Sequence, residues 1–182
     1  MRLILSFLIP VVLLLTIGCQ NEARVEFSKF DIKEGIFFLE GQEFTGVVYE
    51  NYSNGKTKKE WTMLNGIEHG PSSIYYSNGQ VDEKINWKEG QKDGPYEKFY
   101  EDGQPEVISQ YALDKKDGDF KVYYNSGTIL RTGSYDKGIL EGSIEEYFEN
   151  GQKKSLVTWA GNVKEGPYEE YYENGQLKII GY

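Results

Sequence analysis

The sequence predicts an all-β protein, an elongated, twisted single-sheet array of antiparallel β-hairpins with a 24-residue period. Three observations predict it. Gly46, Gly70, Gly94, Gly118, Gly142 and Gly166 are each 24 residues apart, and so are Gly55, Gly79, Gly103, Gly127, Gly151 and Gly175. An aromatic column, Tyr52, Tyr76, Tyr100, Tyr124, Phe148 and Tyr172, keeps the same interval. Just beyond each member lies Asn54-Gly55, Asn78-Gly79, Asp102-Gly103, Asn150-Gly151 or Asn174-Gly175, with Ser126-Gly127 the one departure. Asn-Gly and Asp-Gly are strong hairpin signals, because both central residues of a type I′ turn need φ > 0. Glycine at this density excludes a helix, where each would cost about 1 kcal/mol.

Residues 1–18 read as a lipoprotein signal peptide. Arg2 precedes Leu3–Ile17, an uncharged stretch of 15 residues. That is short of the roughly 20 apolar residues of a membrane span but suits a secretory segment. The chain has a single cysteine, Cys19, directly after Gly18 at the end of this run. Leu15-Thr16-Ile17-Gly18-Cys19 resembles the lipobox of bacterial lipoproteins, with Thr16 standing where Leu is usual. The resemblance implies acylation of Cys19 by palmitate-type chains, a membrane held through that lipid, and residence in the bacterial cell envelope.

One cysteine excludes an internal disulfide and a Cys-based zinc site. Beyond residue 18 the chain carries 19 basic against 29 acidic residues. That balance argues against nucleic acid, whose phosphates need a basic patch, and against docking on anionic lipid through side chains. It favours a basic protein partner.

Residues 19–28 read as a polar tether and 29–45 as an atypical capping segment, apolar at Gly35-Ile36-Phe37-Phe38-Leu39. Terminal units of a solenoid are irregular because their outer face lacks a neighbour. Residues 46–182 form the array: five full units from Gly46 to Glu165 and the partial unit Gly166–Tyr182. A second turn follows each return strand at Gly66, Gly90, Asp114, Gly138 and Asn162, all residues that tolerate φ > 0. Alternation places Val48, Ser72, Tyr96, Phe120, Ile144 and Tyr168 on one face together with the Tyr52 column. Met63, Trp87, Tyr111, Tyr135 and Trp159 form a further column on the return strands. Tyr75, Phe99, Tyr123, Tyr147 and Tyr171 directly precede the Tyr52 column and break the alternation. Either the strand bulges there and both aromatics pack, or the opposite face carries an aromatic ladder. These five are the candidate partner-binding residues, with Phe99, Tyr123 and Tyr147 central, where interface contacts are strongest.

Tyr171-Tyr172-Glu173-Asn174-Gly175-Gln176 resembles the bacterial variant of the MORN repeat, and Glu43-Phe44-Thr45-Gly46 resembles that family's usual opening. The resemblance implies a twisted array of hairpins that acts as a membrane-associated or protein-binding scaffold. Bacterial members are often labelled antitoxins of toxin–antitoxin or immunity pairs, so the resemblance extends to that role.

Catalytic, cofactor and metal sites are not expected. The single histidine, His69, reads as a surface turn residue between Glu68 and Gly70, without a second His or thiolate to share a metal. No Gly-x-Ser-x-Gly elbow and no phosphate-cradling loop occur. Glu145-Glu146 and Glu169-Glu170 sit at equivalent repeat positions, as a solvated strand face would. Two functions remain: a lipid-anchored module that binds a protein, and a carbohydrate or cell-wall binder that stacks sugars on an exposed ladder.

Overall fold

The computed structural model describes residues 23–182; residues 1–18 and Cys19 lie outside them. Each unit is a hairpin whose strands pair antiparallel with their sequence neighbours, giving one continuous sheet. Arg24–Glu26 lies at one edge, parallel to Gly46–Asn51. Leu177–Gly181 forms the other edge. At roughly 4.8 Å per strand the sheet runs on the order of 55–60 Å. The stretch read as a polar tether therefore joins the sheet from Arg24, and a single 3-10 turn, Phe27–Lys29, follows it. The reason is local: Val25, Phe27 and Phe30 have an apolar surface to cover, and backbone pairing with Gly46–Asn51 satisfies the polar groups beside them.

The 29–45 segment makes a separate three-stranded sheet, Asp31–Lys33, Ile36–Leu39 and Gln42–Glu43. It packs over the first unit. Phe44, Val48, Trp61 and Met63 are buried under Phe27, Phe30, Phe37 and Leu39. Phe27 stacks on the Trp61 indole with ring centroids 5.6 Å apart and planes 13° off parallel. A second buried cluster, Phe120, Leu140 and Ile144, lies in the fourth and fifth units.

The two turns of each unit exchange the roles read for them. At Asn54-Gly55 and its equivalents the glycine alone has φ > 0. Gly55 N–H donates to Tyr52 O at 2.9 Å and Tyr52 N–H to Lys56 O at 2.8 Å, which is a three-residue loop closed by a glycine bulge. Asn54 keeps an ordinary φ because its Oδ1 accepts the Lys56 N–H at 3.0 Å, a local turn that needs no left-handed residue. Both central residues are left-handed at the other turn instead: Asn65-Gly66, Glu89-Gly90, Leu113-Asp114, Lys137-Gly138 and Gly161-Asn162. That is the type I′ geometry, which follows the strands' own right-handed twist.

Every unit is also bulged. The register shifts between Glu50 and Asn51, Ile74 and Tyr75, Val122 and Tyr123, Glu146 and Tyr147, and Glu170 and Tyr171, and in the third unit between Pro105 and Val107, opposite Phe99 and Lys98. A second shift faces the Gly70-Pro71 step and its counterparts, where proline's missing N–H leaves no ladder bond unmade. His69 lies in this strand, Ile67–Tyr75, half-buried and not in a turn.

Successive units are stapled side by side. The Tyr52 hydroxyl donates to Tyr75 O at 2.6 Å, Tyr76 to Phe99 O at 2.7 Å, Tyr100 to Tyr123 O at 2.6 Å and Tyr124 to Tyr147 O at 2.9 Å. The column is therefore tyrosine for its hydroxyl as much as for its ring. Asn54, Asn78 and Asn150 add a second staple, each Nδ2 donating to a carbonyl 23 residues on at 3.0–3.2 Å.

Candidate binding faces and family

The bulge and the ladder coexist. Tyr75, Phe99, Tyr123, Tyr147 and Tyr171 are all half-buried. They lie on the face opposite Val48, Trp61 and Met63, because their partners come from the intervening positions. The Tyr75 hydroxyl donates to Glu60 at 3.2 Å, Tyr147 to Glu145 and Tyr171 to Glu169. Lys84 sits 5.2 Å from the Phe99 ring centroid. Burial, then the Glu60 charge, raises the Tyr75 phenol above its usual range. Hydrogen bonds to Glu145 and Glu169 raise Tyr147 and Tyr171. These phenols are engaged with carboxylates and are not free hydroxyls in solvent.

The apolar face differs along its length. Over the first unit the cap covers it. Over the last two units no second layer covers it among the described residues, and it forms a groove of about 850 Å³ whose lining includes the buried Ile144. Ile144, Phe148, Val157, Trp159 and Tyr168 supply its apolar lining, and Tyr171 reaches it from the ladder. Four basic residues, Arg131, Lys154, Lys164 and Lys178, stand there against Glu146 and Glu170. Lys154 pairs with Glu146 at 3.6 Å and Lys178 with Glu170 at 3.2 Å. Arg131 and Lys164 have no carboxylate within salt-bridge distance among the described residues. Lys164 Nζ stands 5.6 Å from the Trp159 ring and the Arg131 guanidinium 5.8 Å from the Phe120 ring.

Sequence reasoning placed Trp159 and Tyr168 in their columns but missed the groove. The signal was the uneven distribution of large residues: the phenylalanine-rich cap occurs at one end alone. Lysines at one repeat position lie against this face in the groove and outside it alike, with Lys92 5.8 Å from the Trp87 ring, Lys116 5.4 Å from the Tyr135 ring and Lys164 5.6 Å from the Trp159 ring. Among the described residues no group of three or more His, Cys, Asp or Glu is placed to hold a metal ion, and no helix is long and apolar enough to cross a membrane.

No curated protein matches the chain in sequence. Among solved structures, the chain is similar to a TarM mutant of S. aureus, crystallised in complex with Fondaparinux, α-GlcNAc-glycerol and UDP. The match has 11% identity and a TM-score of 0.35 over 52% of this chain and 19% of that one. The chain thus spans about a fifth of that protein's length, and a likeness this low carries no argument. The family comparison is decisive: the MORN repeat variant matches at residues 68–89, 92–112, 116–137, 140–160 and 164–182. Five consecutive matches, in register with the hairpins and together covering more than half of the sequence, show that this chain belongs to the MORN repeat variant family.

Proposed function

We propose that this protein is a lipid-anchored, non-catalytic module that binds a protein partner through its repeat sheet at the bacterial cell envelope. One observation carries the reading: the face that the cap covers over the first unit lies open, aromatic and grooved over the last two. Aromatic side chains together with an arginine in one concave patch are the composition that protein interfaces favour. Repeats of this family supply binding surfaces, and hydrogen-bonded hairpins repeated along one sheet hold such a surface rigid. In its sharpest form the partner is a toxin and this chain its antitoxin or immunity factor, a role that rests on the family resemblance. The ladder face is the weaker candidate, for protein or carbohydrate, because three of its four phenols already serve Glu60, Glu145 and Glu169.

A photocrosslinking residue placed at Tyr168, in the groove, should capture a protease-sensitive partner of discrete mass in intact envelopes. The same residue at Tyr123 should not. Capture from Tyr123 alone would move the site to the ladder, and a protease-resistant, periodate-sensitive product would replace the protein partner by a carbohydrate. Anchoring is tested separately. Cys19→Ser should abolish acyl labelling and leave an uncleaved precursor, and normal processing of that variant would remove the lipid from the account.

A further inference from the structure

We infer that the open groove takes an extended, acidic polypeptide segment carrying aromatic side chains, an inference that rests on the protein-binding reading above. The first argument is charge. The chain as a whole carries a net charge of −9, which by itself favours a basic partner. The groove inverts that sign, with four basic residues against two acidic ones. Its two ion pairs use Lys154 and Lys178, so the uncompensated cations are Arg131 and Lys164. Arg131 Nε is moreover buried with no acceptor among the described residues.

The second argument is that a folded segment of similar chemistry, covalently attached, already covers this face over the first unit. Residues 23–45 hold five phenylalanines and carry five acidic against three basic residues. This segment lies on the equivalent face of the first unit, with Phe27 stacked on Trp61 while Lys59 Nζ stands 4.1 Å from the same indole. An aromatic side chain and a cation thus share one tryptophan there. In the groove, Trp159 has its cation, Lys164, and no aromatic partner among the described ring pairs. Trp159 stands in the column of Met63, two residues along the strand from Val157, the equivalent of Trp61; a phenylalanine beside its indole, with flanking carboxylates on Lys164 and Arg131, would place an aromatic ring and a cation on one tryptophan of the same face.

The test uses the full lipidated chain in detergent and three fluorescein-labelled decapeptides, of alternating Glu and Phe, Lys and Phe, and Glu and Ser, read by anisotropy. The Glu–Phe peptide should bind at least tenfold more tightly than either control, and its affinity should fall as salt is raised. Lys164 is exposed, so Lys164→Gln should leave the melting temperature in place and weaken the Glu–Phe peptide at least fivefold; Tyr123→Ala should leave that affinity unaltered. Equal binding of the Lys–Phe peptide, or an unchanged affinity in Lys164→Gln, would overturn the inference. Tighter binding of polygalacturonate than of the Glu–Phe peptide would overturn it in favour of an acidic carbohydrate. If the peptides fail while a protein still crosslinks at Tyr168, the acidic, aromatic chemistry is wrong and the protein-binding reading stands; if both fail, that reading falls as well.

Discussion

At the scale of single residues the repeat serves as an internal mutation series, because one column meets the same backbone six times with different side chains. Four tyrosines of the Tyr52 column donate a hydroxyl to the next unit's carbonyl, but Phe148 has none to give to Tyr171 O. A net hydrogen bond contributes about 0.5–1.5 kcal/mol. Phe148→Tyr should therefore stabilise the protein by about that amount, and Tyr100→Phe should destabilise it equally, both read by urea unfolding. If neither moves the midpoint, the staple is geometry without energy. Glu145 offers a test of opposite character. Hydrogen bonds from Lys153 and Tyr147 hold its carboxyl below the usual carboxylate range. A carboxylate whose folded pKa is lowered contributes stability that is present above its unfolded pKa and lost as pH falls through the folded one. Glu145→Gln should therefore cost at most about 1 kcal/mol near neutral pH, the scale of a partly exposed pair. The difference from wild type should close below about pH 4, where the unfolded carboxyl begins to bind protons. A difference that persists at pH 3 would assign the effect to packing.

At the scale of one hairpin, the packing rule is size compensation across the strand pair. Val48 faces Trp61, Ser72 faces Ile85, Tyr96 faces Ser109, Phe120 faces Gly133 and Tyr168 faces Gly181. In these five pairs the larger side chain is met by a smaller one, while Ile144 and Val157 in the fifth unit are both of middle size, so the layer keeps its thickness while its sequence changes. Gly133 shows how strict this is. A Cβ there would collide with Ile144 Cδ1 and approach Phe120 Cε1 to 2.9 Å, although its backbone conformation is ordinary. Gly133→Ala should cost about 1–3 kcal/mol by overpacking, and Phe120→Leu in the same chain should return part of it; additive losses in a thermal melt would count against the collision. The glycine period was legible in the sequence because a left-handed turn accepts few residues. The size rule was not, since it joins positions 13 residues apart whose individual identities drift. The Asn-Gly pairs marked the right places but the wrong turn. The asparagine's bond to Lys56 N–H, and to its equivalents, supplies locally what a type I′ turn would need a second left-handed residue to achieve.

Across the described residues, the array carries a cap over its first unit and no covering layer over its last, and its stability should be graded accordingly. Repeat arrays are held by nearest-neighbour interfaces, so an end without a covering layer opens first. Val48 is fully buried under the cap and Met63 nearly so. In the last unit Leu177, Ile179 and Ile180 are 53%, 43% and 59% exposed. The cap was readable as an irregular, apolar lead-in, but its position over Trp61, and the bare groove that this leaves at the far end, depend on contacts no local pattern encodes. The three tryptophans are placed to report the gradient: Trp61 under the cap, Trp87 in the second unit and Trp159 in the open groove. In a chain whose other two tryptophans are replaced by phenylalanine, Trp159 fluorescence should lose its native signal at a lower urea concentration than Trp61 does in the matching variant. Each variant's circular dichroism midpoint, measured on the same sample, separates this gradient from a general loss of stability, because a cooperative molecule shows coincident transitions by every probe. A Trp159 midpoint that coincides with that of Trp61 would mean that the sheet unfolds as one unit, and that the groove is as firmly held as the capped end.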